Sequence, residues 1–248
     1  MVISMERWHG KVAVVTGASA GIGASIAEHL VKHGMKVVGL ARRVELIEEN
    51  AKKLIGEKGE LHGIKTDMTK PEEITNAFKM IEDQYGPIHV LVNNAGTIEF
   101  TSLSDGEVED WKKTFDLNVI GLCVATRDAV RSMKNSNIDG HIIHINSISG
   151  HYPVQCAGVN VYSATKYAVT ALTNDLRVEL VEAGTKIKVT SISPDLTVTD
   201  LARRFHTDID NMAALKAEDI AEACVYVLST PPHVQVHEMM IRPVGSRF

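Results

Sequence analysis

Apolar residues gather along the chain in two alternating rhythms. Short runs rich in valine and isoleucine recur at residues 11–16 (KVAVVT), 36–40 (KVVGL), 61–66, 88–92, 141–146 (HIIHIN), 188–193 and 238–241. Runs this short and this rich in apolar residues predict strands, the first of them, 11–16, covered on both faces. Between them apolar residues return every three or four positions: Ile22, Ile26 and Leu30; Leu46, Ile47, Leu54 and Ile55; Ile74, Phe78 and Ile81; then Trp111, Phe115, Leu117, Val119 and Leu122. That spacing turns one stripe of a helix toward a core. Residues 161–181 and 217–228 continue the helical period. Thr69-x-x-Glu72 and Ser104-x-x-Glu107 read as capping boxes opening two of these helices, the second running to about Met133. Strand and helix in alternation predict an α/β fold on a parallel sheet.

The residues that can carry chemistry fall where the strands end, and in an open parallel sheet the ligand crevice lies beyond those carboxyl ends. After the first strand comes T-G-A-S-A-G-I-G, with Gly17, Gly21 and Gly23 in register before a helix and Ser19 and Ile22 among them. Such a turn offers backbone N–H groups and the positive helix end to a phosphate, and the missing Cβ atoms let a dinucleotide come close. The second strand ends at Arg42-Arg43, with no acid in residues 39–43. A carboxylate there would hold the adenosine ribose hydroxyls, whereas the planar donor fork of arginine matches a 2′-phosphate. NADP(H) is therefore predicted, with Arg42 as the phosphate clamp and Arg43 stacking on adenine. Asp67 and Met68, after the third strand, are placed at the adenine. Asn94, Ala95 and Gly96, after the fourth, permit close approach of the cofactor ribose.

In Y-S-A-T-K, Tyr162 and Lys166 stand four apart and share one helix face. A fixed positive charge beside a phenol favours the phenolate, which lowers the tyrosine pKa and suits it to general acid/base work. Alone, the pair is more often a packed ring and a solvated lysine, so its weight comes from its surroundings.

Composition removes several classes. The 248 residues, 44% hydrophobic and 23% charged, suffice for one domain over residues 1–248. A net charge of -5 without any basic run argues against nucleic acid as a partner. No run nears the ~20 apolar residues of a membrane span. Cys123, Cys156 and Cys224 are unpatterned, which predicts reduced thiols and a cytoplasmic location. His29 and His33 stand four apart without an acidic partner, so no metal site is expected.

Taken in order, T-G-x-x-x-G-x-G, N-N-A-G, Asn118, S-x-x-G, Y-x-x-x-K and a proline-led loop ending in Thr199 resemble the short-chain dehydrogenase/reductase family over the whole chain. The segments E-R-W, V-V-G-L-A-R, C-x-A-T-R and Y-S-A-T-K-Y-A-V-T-A-L-T are similar to its dehydrogenase/reductase family member 11 group, which includes insect farnesol dehydrogenases. The resemblance implies a single Rossmann-type doubly wound domain with a seven-stranded parallel sheet. It implies hydride transfer between NADP(H) and a lipophilic alcohol or carbonyl, in a homodimer or homotetramer. It also implies roles: Tyr162 is the acid/base, Lys166 lowers its pKa and bonds the nicotinamide ribose, Ser147 orients the substrate oxygen, and Asn118 holds a water linking Lys166 to solvent. Pro194, Thr197 and Thr199 join the cofactor contacts. The family's common serine-to-tyrosine spacing points to Ser149, but the S-x-x-G register points to Ser147. Ser147 is chosen, because residues 151–161 can absorb an insertion as loop.

One departure stands out. The family usually has Pro-Gly after the sixth strand, and here Asp195 follows Pro194. Aspartate tolerates positive φ better than most residues but adds a side chain and a charge, expected to weaken cofactor binding or slow turnover. On the substrate side, Tyr152, Pro153, Val154, Leu196, Leu201, Phe205 and Met212 read as an apolar lining for an isoprenoid, steroid or retinoid. Arg203-Arg204 could address an acidic substrate group. Two other classes stay open: an NADP(H)-binding sensor without turnover, which only Asp195 recommends, and an interaction protein that keeps the fold without cofactor, against which the glycine turn argues.

Overall fold

The computed structural model describes residues 3–152, 158–205 and 208–246. The alternating rhythms become β1 (Val12–Thr16), α1 (Gly21–Lys32), β2 (Lys36–Ala41), α2 (Val44–Lys53), β3 (Glu60–Lys65), α3 (Pro71–Tyr85) and β4 (Ile88–Asn93). They continue through α4 (Val108–Phe115), α5 (Leu122–Asn135), β5 (His141–Ile145), α6 (Asn160–Glu182), β6 (Lys188–Pro194), α7 (Asp200–Arg203), α8 (Ala217–Ser229) and β7 (Glu238–Ile241). The strands form one seven-stranded sheet in the order β3-β2-β1-β4-β5-β6-β7. Every pairing in it is parallel.

The strand runs carry apolar residues toward both faces because both faces are covered. Ala13 and Val15 of β1 pack into a core with Ile26 and Leu30 of α1, Ile47 of α2 and Cys224 and Val227 of α8. Val12 and Val14, pointing the other way, join Ile74 and Phe78 of α3, Ala125 and Ala129 of α5 and Leu180 of α6. The sheet is thus doubly wound. After β3 the chain returns to set β4 beside β1, so the order reverses between those strands and a crevice opens at their carboxyl ends.

Several local expectations are corrected. Neither capping box forms. The Thr69 hydroxyl donates to the Asp67 carboxylate at 2.8 Å, and α3 opens instead on Pro71, whose ring presets a helical φ. Ser104 donates to Asp105 at 2.7 Å within a turn, and α4 begins at Val108. The long helix does reach Met133, but as α4 and α5 joined without interruption through a π-helical stretch, Asp116–Gly121. Ile55 is 82% exposed, since α2 ends before it at Lys53.

A buried polar chain ties the elements that carry the site. Asn93 Nδ2 donates to Thr126 Oγ1 at 2.9 Å, Thr126 Oγ1 meets His144 Nε2 at 3.3 Å, and His144 Nδ1 meets Thr173 Oγ1 at 2.8 Å. The Thr173 hydroxyl donates to the Val169 carbonyl at 2.6 Å, which leaves Nδ1 as the protonated nitrogen of His144. Burial, aided by the charges of Arg177 and Lys166, pushes His144 down to about 3, so it stays neutral and fixes α6 against β5. Among the described residues no helix is long and apolar enough to cross a membrane.

Candidate active site

The strand ends and the segment after β6 surround a cleft of about 770 Å³. Its floor is stitched from two loops. Thr16 Oγ1 accepts the N–H groups of Asn94 and Ala95, each at 3.0 Å, while Asn94 Nδ2 donates to the carbonyls of Thr16 and Gly17 at 3.0 and 3.3 Å. Gly17 has φ +69°, and a Cβ there would lie 3.0 Å from the Ala95 Cα, so only glycine serves. Ser19, Gly21 and Ile22 line the cleft. No side chain caps the N-terminus of α1, so its first N–H groups are open to an anion in the cleft. Gly23 corrects its expectation. It is not among the cleft-lining residues, and a Cβ there would collide with the Gly17 carbonyl and the Asn94 side chain, so its lack of one seats α1 on the floor.

Arg42 and Arg43 line the far wall and are both exposed. Asp67 and Met68 close that end. Burial would push the Asp67 carboxyl up, but the Thr69 N–H and hydroxyl, with the charges of Arg42 and Lys70, hold it below the ordinary range. Gly96 and Thr199 also line the cleft, beside Tyr162 and Lys166.

Tyr162 and Lys166 share one face of α6 as the spacing predicts, with the lysine ammonium 5.7 Å from the centre of the phenol ring. Lys166 is buried, and Nζ donates to the Ile145 carbonyl at 2.9 Å. The predicted electrostatics are corrected. Burial pushes the Tyr162 phenol up, and the group opposing that shift is the Ser147 hydroxyl, hydrogen-bonded to it. Burial also lowers Lys166 to about 8. Ser147 thus stands at the phenol as the S-x-x-G register predicts. Ser149 is buried behind it and donates its N–H to Ser147 Oγ at 3.1 Å.

Asn118 lies on the π-helical stretch. Its Nδ2 donates to the Thr97 carbonyl at 2.9 Å and to Thr165 Oγ1 at 3.1 Å, and its Oδ1 accepts the Thr97 N–H at 2.8 Å. Both amide protons are therefore engaged, and the side chain locks the loop after β4 to the helix that carries Tyr162. Extra residues in π turns commonly aim a side chain in this way.

Asp195 is the largest correction. Its carboxylate is not in the cleft: Oδ2 accepts from Arg242 Nε at 3.1 Å and from Ser246 Oγ at 2.8 Å, and Oδ1 accepts the Leu196 N–H at 2.7 Å. Its φ is not positive, so no strain accompanies the departure from glycine. The side chain pins the carboxyl end of the chain to the loop after β6. Asp195→Ala is expected to lower unfolding free energy by about 1–3 kcal/mol, measured by urea denaturation.

Other expectations divide. Pro194 ends β6 away from the cleft lining, and the buried Thr197 hydroxyl donates to the Asp195 carbonyl at 2.9 Å. Neither meets the cleft. Leu201 lines it; Leu196 does not, and Tyr152 and Met212 are exposed. Pro153, Val154 and Cys156 lie outside the described residues. Arg203 is bound by Asp210, with contacts of 2.6 and 2.8 Å, whereas Arg204 faces the cleft. Glu99, Lys113 and Asn146 line the cleft without having been singled out, since no local motif marks them, and Leu117, read as part of a core-facing stripe, lines it too.

An open helix N-terminus, a glycine floor and two exposed arginines at the adenosine end fit a phosphorylated dinucleotide. A buried lysine behind a phenol and a serine hydroxyl fits proton transfer at the other end.

Residues 11–210 match the family described as short chain dehydrogenase. The chain is 49% identical over 248 residues to a farnesol dehydrogenase of Aedes aegypti, covering 98% of this chain and 100% of that protein. It is 49% identical over 250 residues to dehydrogenase/reductase SDR family member 11 of Gallus gallus, covering 96% and 98%. Among solved structures, the closed form of a serine dehydrogenase complexed with NADP+ matches with a TM-score of 0.85 at 33% identity, covering 96% of each chain.

Proposed function

The chain belongs to the short-chain dehydrogenase/reductase family, and from that premise we propose that it interconverts a lipophilic alcohol and its carbonyl using NADP(H), with Tyr162 as the acid/base. One observation carries this reading: the Tyr162 phenol, hydrogen-bonded to Ser147 and backed by Lys166, opens on the cleft that the glycine turn and Arg42 also line. The cofactor supplies or accepts the hydride. The chain's residues do the rest. In reduction Tyr162 gives its proton to the carbonyl oxygen as that oxygen gains charge, and in oxidation the tyrosinate takes the proton back. Ser147 holds the same oxygen against the phenol. Lys166, fixed by the Ile145 carbonyl with its ammonium 5.7 Å from the ring centre, adds a positive charge that favours tyrosinate, and burial of the phenol outweighs it. Arg42 would hold the 2′-phosphate, and the α1 N-terminus the pyrophosphate.

The similarity to a farnesol dehydrogenase and the apolar Leu117 and Leu201 support an isoprenoid alcohol such as farnesol, with steroids and retinoids as the related class. The test is NADPH and NADH oxidation by one preparation over a panel of carbonyls, with farnesol and steroid alcohols in the reverse direction. Turnover with NADPH is expected; none with any substrate would end the reading. Because the Asp195 carboxylate faces Arg242, Asp195→Ala is expected to leave the NADPH dissociation constant within about twofold.

A cytoplasmic homodimer or homotetramer belongs to the same proposal. Val108 and Phe115 on α4 are 53% and 40% exposed, and Val178 and Val181 on α6 are 57% and 76% exposed, an apolar area that a second copy would cover. Light scattering should give a multiple of the 27.1 kDa chain mass.

A further inference from the structure

Helix α7 has no buried residue among its four, yet Leu201 and the adjoining Arg204 form one wall of the cleft. A segment with nothing in the core stays in place through a few contacts, and those contacts govern access. Besides the Arg203–Asp210 pair, two of them reach residues 97–101. Glu99, with a side chain only 13% exposed, takes Lys113 Nζ of α4 on Oε1 at 2.7 Å and faces Arg204 Nη2 with Oε2 at 3.7 Å. Thr97 Oγ1 donates to the same Oε1 at 3.3 Å. Burial would push the Glu99 carboxyl up, but Lys113, Thr97 and Arg204 together hold it below its ordinary range, so it is ionised.

An apolar contact runs beside this charged one. Phe100 and Phe205 stack with ring centres 6.1 Å apart and planes at 24°. On its other side Phe100 fills the space a Cβ of Gly158 would need, and the Thr101 N–H donates to the Gly158 carbonyl at 2.9 Å. One short loop thus joins α4, the α7 segment and the residues leading into the helix of Tyr162.

We propose that Glu99 is a specificity-determining residue: it latches the α7 segment over the substrate end of the cleft and, by holding both nearby cations, reserves that end for uncharged substrates. An anionic substrate group would meet the Glu99 carboxylate and would have to displace it from Lys113 and Arg204. A neutral apolar substrate passes without breaking either contact. The kinetic part rests on the alcohol–carbonyl reading above; the latch itself does not.

The experiment pairs limited trypsin digestion with competing substrates. Cleavage after Arg203 or Arg204 is expected to quicken at least about fivefold in Glu99→Gln and in Phe100→Ala, because proteolysis follows the open population. Phe100 is 65% exposed, so its truncation spares the core. In Glu99→Gln the ratio of kcat/KM for para-carboxybenzaldehyde over para-methylbenzaldehyde is expected to rise about tenfold, since two cations are freed. In Phe100→Ala that ratio should not move. Cleavage rates within twofold of the unaltered protein in both variants, or an unmoved ratio in Glu99→Gln, would overturn the proposal. If the unaltered protein turns over no carbonyl or alcohol of the panel, the reaction reading fails, and the digestion rates alone decide the latch.

Discussion

Tyr162→Phe is expected to lower the turnover number by about 10²- to 10⁴-fold, the range that general acid/base groups supply. The substitution keeps the ring, the helix and the cleft wall and removes one oxygen. That oxygen is the group to which Ser147 is hydrogen-bonded and from which the proton leaves. The nucleotide contacts proposed above lie mainly along the glycine turn and Arg42, so the NADPH dissociation constant should change little. Fluorescence titration measures that constant, and steady-state kinetics the turnover. A variant that keeps turnover within about threefold of the original would remove Tyr162 from the reaction. The pH profile adds a second readout. Lys166 is depressed to about 8 by burial, so its charge is present below that pH and lost above it. The phenol is shifted up and stays protonated through that region. Loss of the ammonium removes the charge that makes the phenol a better acid. The kcat/KM for carbonyl reduction should therefore fall as pH rises through about 8, and the residual rate of Tyr162→Phe should not follow it.

Features set by neighbours in sequence were legible from the chain alone. The strand runs at 12–15 and 90–92 are apolar throughout because helices cover both faces, and that pattern needs no partner to be read. Tyr162 and Lys166 share a face because helices have one period. What escaped depended on partners far along the chain. The Asp195 side chain takes its direction from Arg242 and Ser246, about fifty residues later, so the loop after β6 could be located but not the charge upon it. Glu99 stands in a loop with no periodic signal, and its meaning comes from Lys113 and Arg204. Gly23 belongs to the glycine turn by spacing, yet the atoms it makes room for are the protein's own. Spacing leaves Ser147 and Ser149 both open, and it is the Ser147 hydroxyl that reaches the phenol.

Arg42→Ala is expected to weaken NADPH binding by about 10- to 100-fold, the loss of one charge-assisted contact worth about 1.5–3 kcal/mol, and to leave NADH binding within about twofold. The reason is positional. Arg42 follows β2 at the wall of the cleft, exposed, with its charge felt by the Asp67 carboxyl across the adenosine end. A guanidinium there meets the phosphate that one nucleotide carries and the other lacks, so its loss should fall on one alone. Arg43 provides the contrast. It stands at the N-cap position of α2 with no side-chain capping bond, and stacking on adenine would serve both nucleotides equally, so Arg43→Ala should weaken both by the same factor. Arg42→Asp goes further. The new carboxylate repels the 2′-phosphate and can accept from the ribose hydroxyls of NADH, so the preference itself should reverse. Parallel titrations of each variant with both nucleotides check this. Equal losses for NADPH and NADH in Arg42→Ala would show that Arg42 holds the shared part of the cofactor and that the phosphate is selected elsewhere in the cleft.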